Sequence, residues 1–321
     1  MSFKNILGHE PAIRLLKGQL TRDRLAHTYL FVGQRGIGKR TLGLEFIKAA
    51  ECENPSDGDA CDSCEACTKI SQQKFPDLMV VKPEKETGTM GIDQIRALSN
   101  WLSLTPYQGR WKAGVIDEAD RLTEEAANAC LKMLEEPPEK SLLILVGAAY
   151  HRLPPTVLSR CHIVRFSPQG IQQVSAFLQK AEGVDMATAQ LLAAWSGGRA
   201  GTALEYHREK RLSEKNAVLD QVLAAHRQQS PEIPLGSAPR AELEEALEWT
   251  AAWWRDLLLA ALGADPAWWM HQDRAAEIKK AASTVSVEQL LDRIEWTYWV
   301  QELIQRNASP RIALSTLLCR P

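Results

Sequence analysis

Up to about Phe166 the chain alternates short apolar runs with longer stretches of helical periodicity. Thr28 to Val32, Leu78 to Lys82, Ala113 to Asp117, Leu142 to Gly147 and His162 to Phe166 are short and rich in β-branched, aromatic and aliphatic residues, so they read as strands. Strands separated by helical lengths of chain need crossover connections, which predicts a parallel sheet in an α/β domain. Thr123 to Glu135 illustrates the intervening helices. Thr123 caps, Glu124 and Glu125 suit the first turn, Ala127, Cys130, Leu131 and Leu134 form one apolar stripe, and Pro137 and Pro138 end it. After Ser167 and Pro168 the β-rich runs stop. Two helical regions follow, separated by a polar stretch with Gln228, Gln229, Ser230, Pro231 and Pro234. The expected domains are therefore 1–167 (α/β), 168–208 (small, helical) and 209–321 (helical). In the last region Trp249 and Trp253 are four apart and Trp296 and Trp299 three apart, a helical spacing that predicts core and interface positions.

The length of 321 residues and an apolar content of 45% fit two or three domains with sizeable cores. Met1 to Leu20 has no apolar run of signal-peptide type, and no stretch approaches the roughly 20 apolar residues of a membrane span, so a cytoplasmic protein is expected. A formal charge of -2 supplies no general attraction to polyanions; any nucleic-acid contact must be local or come from an assembly.

Tyr29-Leu30-Phe31-Val32 runs into Gly33-Gln34-Arg35-Gly36-Ile37-Gly38-Lys39-Arg40-Thr41 and then into the helical pattern Leu42 to Ala50. Strand, glycine-rich loop and helix are the setting of a phosphate loop: Gly33, Gly36 and Gly38 let backbone N–H groups face phosphate, the helix dipole adds to them, and Lys39 supplies a point charge. The usual motif follows the lysine with Ser or Thr, whose hydroxyl ligates Mg²⁺. Arg40 stands there instead, with no lone pair to offer. Thr41 lies about 100° further round a helix of 3.6 residues per turn, suited to an inner phosphate and misplaced for the ion. These residues are compatible with bound ATP and unfavourable to Mg²⁺. Asp117-Glu118-Ala119-Asp120 follows an apolar strand; there an aspartate holds Mg²⁺ and the next glutamate orients the attacking water in P-loop ATPases, so Asp117 and Glu118 are the candidate acidic pair. A solvated acidic loop is the competing reading.

Seven cysteines are present, four of them clustered: Cys52, Cys61, Cys64 and Cys67, with Pro55 to Gly58 turning the first gap. This spacing suits a closed tetrahedral Zn²⁺ site with no position left for water, a structural staple and not a reactive metal. An iron–sulfur cluster is the alternative. Cys130, Cys161 and Cys319 sit apart in apolar settings and read as core thiols.

The phosphate loop, the cysteine knuckle just after its helix, the acidic box and Leu158-Ser159-Arg160-Cys161 together resemble the bacterial clamp-loader family, whose members include the tau/gamma ATPase and are similar to replication factor C subunits. The likeness runs from Ile6-Leu7-Gly8-His9 through His27 to Phe31 and Asn128 to Pro138, and to Asn307-Ala308-Ser309-Pro310-Arg311-Ile312-Ala313-Leu314 in what would be the family's collar. It implies an AAA+ domain, a helical lid and an all-α collar. It also implies a hetero-oligomeric ring with tau/gamma and delta subunits, which places a sliding clamp on primed DNA. In such rings the arginine of Ser-Arg-Cys reaches a neighbour's ATP and stabilises charge on its γ-phosphate, the role that Arg160, after Pro154-Pro155, would take in trans.

The departures from that pattern are as informative. Gly147-Ala148 stands where tau/gamma carries threonine, and Gly201 where a second-sensor arginine belongs, with Arg199 two positions away. With Arg40, three elements that read the chain's own nucleotide are altered while the one serving a neighbour is intact, so the resemblance implies a stator-like subunit whose own ATPase is weak or absent. The alternatives are an active tau/gamma-type ATPase, in which Thr41 supplies the magnesium ligand, and a stand-alone zinc-stabilised ATP-binding protein. For DNA, Lys132 and Arg96 are candidates only, against the plainer reading of solvated helix faces.

Overall fold

The computed structural model describes residues 2–84, 88–228, 240–306 and 308–309. The chain divides into two compact units, one of residues up to 173 together with 199–201, the other of 174–198 together with those from 202 onward. Gln229, Ser230, Pro231, Pro234, Asn307, Pro310 to Leu314 and Cys319 lie outside the described residues.

The first unit holds strands β1 (Thr28–Val32), β2 (Leu78–Val81), β3 (Lys112–Ile116), β4 (Ser141–Gly147) and β5 (His162–Arg165) in the order β2-β3-β4-β1-β5. Every adjacent pair is parallel, with Leu30 opposite Leu145 and Val115 opposite Ile144. Each strand expected from the sequence is present. The one-residue shifts at strand ends are shallow, because Asp117 N–H still bonds Val81 O at 2.8 Å and Phe166 N–H bonds Val32 O at 2.8 Å. Helices α1 (Glu10–Thr21), α2 (Lys39–Glu51), α3 (Glu65–Ser71), α4 (Ile92–Leu102), α5 (Glu124–Glu135) and α6 (Pro155–Leu158) complete this unit.

Strand side chains alternate between faces, so one sheet feeds two cores. Tyr29, Phe31, Val115 and Ile144 pack with Leu16, Leu42 and Phe46 on one side. Leu30, Val32, Ile116, Leu143 and Leu145 pack with Ile95, Leu98, Ala126 and Cys130 on the other. Burial on both faces explains why the strands read as continuous apolar runs and not as alternating ones. The α5 cap is made as expected, Thr123 Oγ1 accepting from Ala126 N–H at 3.2 Å.

Two buried carboxylates shape the loop that leads into β3. Asp77 accepts N–H bonds from Tyr107 (2.8 Å), Gln108 (2.7 Å) and Gly109 (2.8 Å) and meets Lys112 Nζ at 2.8 Å. Burial alone would raise its pKa, but the Gly109 N–H, the Lys112 ammonium and the other amides outweigh it and hold the carboxyl at about 2. Glu51, at the end of α2, accepts from Arg110 N–H (2.7 Å) and Trp111 N–H (2.8 Å); there burial prevails and pushes its pKa up to about 7.

The second unit is helical: α7 (Ile171–Glu182, entered from the first unit), α8 (Met186–Trp195), α9 (Ala200–Arg208), α10 (Arg211–Gln228), α11 (Arg240–Ala261), α12 (Ala275–Ala282) and α13 (Val287–Gln305). Leu219, Trp253, Trp254, Leu257, Trp269, Ile278 and Leu290 form its main core. Trp249 and Trp253 are buried, as their spacing predicts, and Trp296 stacks on a partly exposed Trp299 at 4.5 Å. Two pairs fix the turn before α12: buried Asp256 accepts from His271 N–H (2.8 Å) and contacts its Nδ1 (2.9 Å), and buried Lys215 meets the more exposed Asp273 at 3.1 Å beneath the Trp195 ring. No described helix is long and apolar enough to cross a membrane.

Removing Asp77 strands the buried Lys112 ammonium and frees three backbone donors. Asp77→Ala is expected to cost about 3–5 kcal/mol in urea unfolding; a loss under about 1 kcal/mol would contradict this role. Glu51 gives a pH signature. Its folded pKa lies above the ordinary 4.5, so the folded chain keeps a proton that the unfolded chain has released, and stability declines as pH rises from 4.5 to about 7. Denaturation midpoints of Glu51→Gln should lack that decline.

Candidate functional site

β1 delivers the chain to the phosphate loop at the carboxyl edge of the sheet, and α2 leaves it at Lys39. Gly36 (φ +73°) and Gly38 (φ +96°) are left-handed, which lets the loop curl ahead of the helix. Ile37 is buried beneath it, and its carbonyl accepts from His9 Nε2 at 2.7 Å. A carbonyl can only accept, so Nε2 carries the proton; Gln169 Nε2 donates to the free Nδ1 at 3.3 Å. Burial holds the His9 pKa below its ordinary value, so the ring anchors the loop as a neutral imidazole. His9 was legible only as part of a family motif; its bond to the loop has no local sequence signal.

Lys39 is buried and donates to the carbonyls of Gly33 and Gln34, both at 2.6 Å. Burial lowers its pKa to about 8, with Asp120 and Asp117 opposing the shift. Arg40 Nη1 lies 3.5 Å from Asp117 Oδ2, while its Nε is buried without a hydrogen-bond partner. Glu118, at φ +54°, is held by Arg35 Nη2 (2.6 Å) and Arg121 Nε (2.9 Å). Thr41 is exposed on the next position of α2. Lys39, Arg40, Asp117, Glu118 and Asp120 thus form one charged cluster around the loop.

This donor set does not fit a divalent cation. The position after Lys39 offers a guanidinium, and that guanidinium occupies the aspartate that would face the ion. Glu118 is tied by two arginines and is not free to orient water. Around them, Asp120 Oδ1 accepts from Ala148 N–H at 2.9 Å, and a Cβ on Gly147 would meet that carboxylate oxygen at 3.2 Å. Gly201, in the short segment 199–201 that belongs to the first unit, donates its N–H to Gly36 O at 2.7 Å. A side chain there would place its Cβ 2.7 Å from the same oxygen. Glycine at this position is therefore a condition of the contact.

Arg160 follows α6 and takes no part in that cluster. Its guanidinium donates to Thr156 O (2.9 Å) and Ser159 Oγ (3.1 Å) and pairs with Glu135 Oε1 at 2.8 Å, with about a third of the side chain exposed. Lys132 is exposed on α5, and Arg96, mostly exposed on α4, lies 3.8 Å from Asp93.

Cys52, Cys61, Cys64 and Cys67 converge, with all four Sγ atoms within 4.8 Å of one another and Cys61 to Cys67 at 4.0 Å. Tetrahedral thiolate coordination at about 2.3 Å needs sulfur separations of about 3.8 Å, so the four residues fit a metal ion. Backbone N–H groups already point at sulfur: Cys61 to Cys52 Sγ at 3.2 Å and Cys64 to Cys61 Sγ at 3.3 Å. Cys130 and Cys161 are not part of it; burial pushes both thiols up to about 12, as inert core positions require.

A phosphate loop between a parallel strand and its helix, with an acidic box after β3, and with β4 inserted between the two strands, defines a P-loop protein of AAA+ type. The profile described as DNA polymerase III, delta subunit, matches residues 8–170, and that described as DNA polymerase III, delta subunit, C terminal, matches 209–320. The DNA polymerase III subunit delta' of Pseudomonas aeruginosa is 31% identical over 234 residues, 72% of this chain and 71% of its own length. The subunit delta' of Bacillus subtilis is 34% identical over 169 residues, 52% of this chain and 50% of that one. The tau subunit of Bacillus subtilis is 34% identical over 159 residues, half of this chain and 28% of its own length. The chain thus spans only about a quarter of the tau relatives. A gamma subunit-related protein of Thermotoga maritima shares the fold, with a TM-score of 0.51 at 17% identity over 96% of this chain and 97% of that one. The chain belongs to the DNA polymerase III delta-prime family of clamp-loader subunits.

The Gly201 contact is open to direct test. Gly201→Ala must break the bond to Gly36 or move the loop, so thermal unfolding should show a loss of about 1–3 kcal/mol. Gly18→Ala in α1, where an added Cβ meets nothing within 4 Å, should be neutral or stabilising by up to about 1 kcal/mol. Equal effects at the two positions would contradict the account.

Proposed function

We propose that this chain is a stator-like, delta-prime subunit of a clamp loader. It joins tau/gamma and delta subunits in a ring, lends Arg160 to a neighbour's ATP site, and through the assembly helps place a sliding clamp on primed DNA in the cytoplasm. The observation that carries the reading is the contrast between two arginines. Arg40 lies against Asp117 inside the chain's own phosphate loop, whereas Arg160 stands outside that cluster at the end of α6, held by Glu135, Thr156 and Ser159.

A guanidinium fixed near a γ-phosphate stabilises the charge that develops there as the bond to the leaving group breaks. Glu135 and Thr156 hold the Arg160 guanidinium in the free chain, and exchanging the Glu135 carboxylate for phosphate oxygens costs little, since both are acceptors of the same charge-assisted kind. The chain's own Asp117 and Glu118 are engaged by arginines and are proposed to be vestigial. Domain roles follow the three-part division: the AAA+ domain at 1–167 presents Arg160, 168–208 is the lid, and 209–321 is the collar through which the ring assembles.

The proposed ion in the knuckle is Zn²⁺, held by Cys52, Cys61, Cys64 and Cys67. With four thiolates it leaves no open position and serves to staple the segment between α2 and α3. Elemental analysis of the purified chain is expected to give one zinc per molecule, with Cys64→Ser reducing both zinc content and thermal stability; iron, or a wild-type metal content unchanged by the substitution, would contradict it.

In a reassembled loader, Arg160→Ala should leave the ring intact by gel filtration and cut turnover at the neighbouring site by on the order of 10³-fold. Undiminished ATPase in an intact complex would refute the role in trans.

A further inference from the structure

Arg40 sits in the first turn of α2, beside Lys39 and the backbone N–H groups of the loop, where a nucleotide's phosphates would lie if the phosphate loop binds one. Three features of its side chain belong together. Nη1 faces Asp117 Oδ2 at 3.5 Å, the carboxylate that in a metal-using site would face the cation. Nε is buried and has no hydrogen-bond partner, a donor without an acceptor in a site built for anions. The side chain is 37% exposed, so the group is reachable from solvent.

We propose that Arg40 takes the place of the divalent cation, so that the loop binds a nucleoside di- or triphosphate in its metal-free form. A guanidinium is a permanent cation with donors in a fixed fork suited to phosphate oxygens. It already balances Asp117, the task a magnesium ion performs there, and the partly exposed side chain can turn its unpartnered Nε–H to a phosphate oxygen. A metal–nucleotide complex is disfavoured twice: the ion finds no hydroxyl ligand, and its charge adds to those of Arg35, Lys39 and Arg40. The site therefore discriminates against the metal complex and retains nucleotide without a route to hydrolysis. This inference rests on the phosphate loop being a nucleotide site, and the test separates the two.

The probe is ADP carrying an N-methylanthraniloyl fluorophore, titrated with the purified full chain in EDTA and in excess MgCl₂. The wild-type chain should bind several-fold more tightly in EDTA than in excess magnesium, and binding that is equal in the two buffers or tighter in magnesium would contradict the discrimination. Arg40→Ser restores a hydroxyl and removes the cation; its affinity in EDTA should fall by about tenfold or more and be recovered by magnesium. Arg40→Lys, which keeps the charge, should keep the preference for the metal-free nucleotide. Circular dichroism melting checks that both variants are folded, and the Arg40→Lys result stands by itself if the serine variant is not. Wild-type binding that weakens about tenfold in EDTA would overturn the role of Arg40 while leaving the nucleotide site in place. An absence of binding in both buffers, matched by Lys39→Ala, would overturn the nucleotide site itself.

Discussion

A parallel sheet sends all its strand ends the same way, and the functional part of this chain depends on that constraint. The phosphate loop after β1, the acidic box after β3 and the Gly147-Ala148 turn after β4 meet at one edge because β1, β3 and β4 are neighbours buried on both faces. The apolar runs that make the strands thus also fix which charges face one another. Arg40 reaches Asp117, and Ala148 reaches Asp120, as a consequence of sheet order.

Within this frame the chain's own site is internally balanced. Lys39 is turned onto loop carbonyls, Arg40 onto Asp117 and Glu118 onto two arginines, while Gly201 binds the Gly36 carbonyl. Each contact is modest, since partly exposed ion pairs contribute little. Their joint effect is functional: groups that a hydrolytic site would keep free for metal and water are engaged with one another. Arg160 is held at a helix end away from this cluster.

Much of this was legible in the sequence because its signals are local. The glycine spacing before Lys39, the gaps between Cys52, Cys61, Cys64 and Cys67, and the apolar runs of the five strands each carry their signal within a few residues; the structure has the five strands, sets the loop between β1 and α2, and brings the four sulfurs together. The arginine after Lys39 was visible as a departure from the usual hydroxyl, and the structure pairs it with Asp117. What the sequence did not disclose depends on residues far apart in the chain: His9 on Ile37, Glu135 on Arg160, Gly201 on Gly36, and the two carboxylates Glu51 and Asp77 that shape the loop before β3. A polar residue gives no hint of its partner until the fold is known, and Gly201 reads as a missing sensor until its neighbour at 2.7 Å shows why a side chain is excluded.

The central claim is that this chain's own site does not hydrolyse ATP. Steady-state ATP hydrolysis by the purified chain alone tests it most directly. Turnover indistinguishable from a buffer blank, unchanged by Lys39→Ala, is the expected result. Robust turnover that Lys39→Ala abolishes would contradict it, because the site would then work with Arg40 in place.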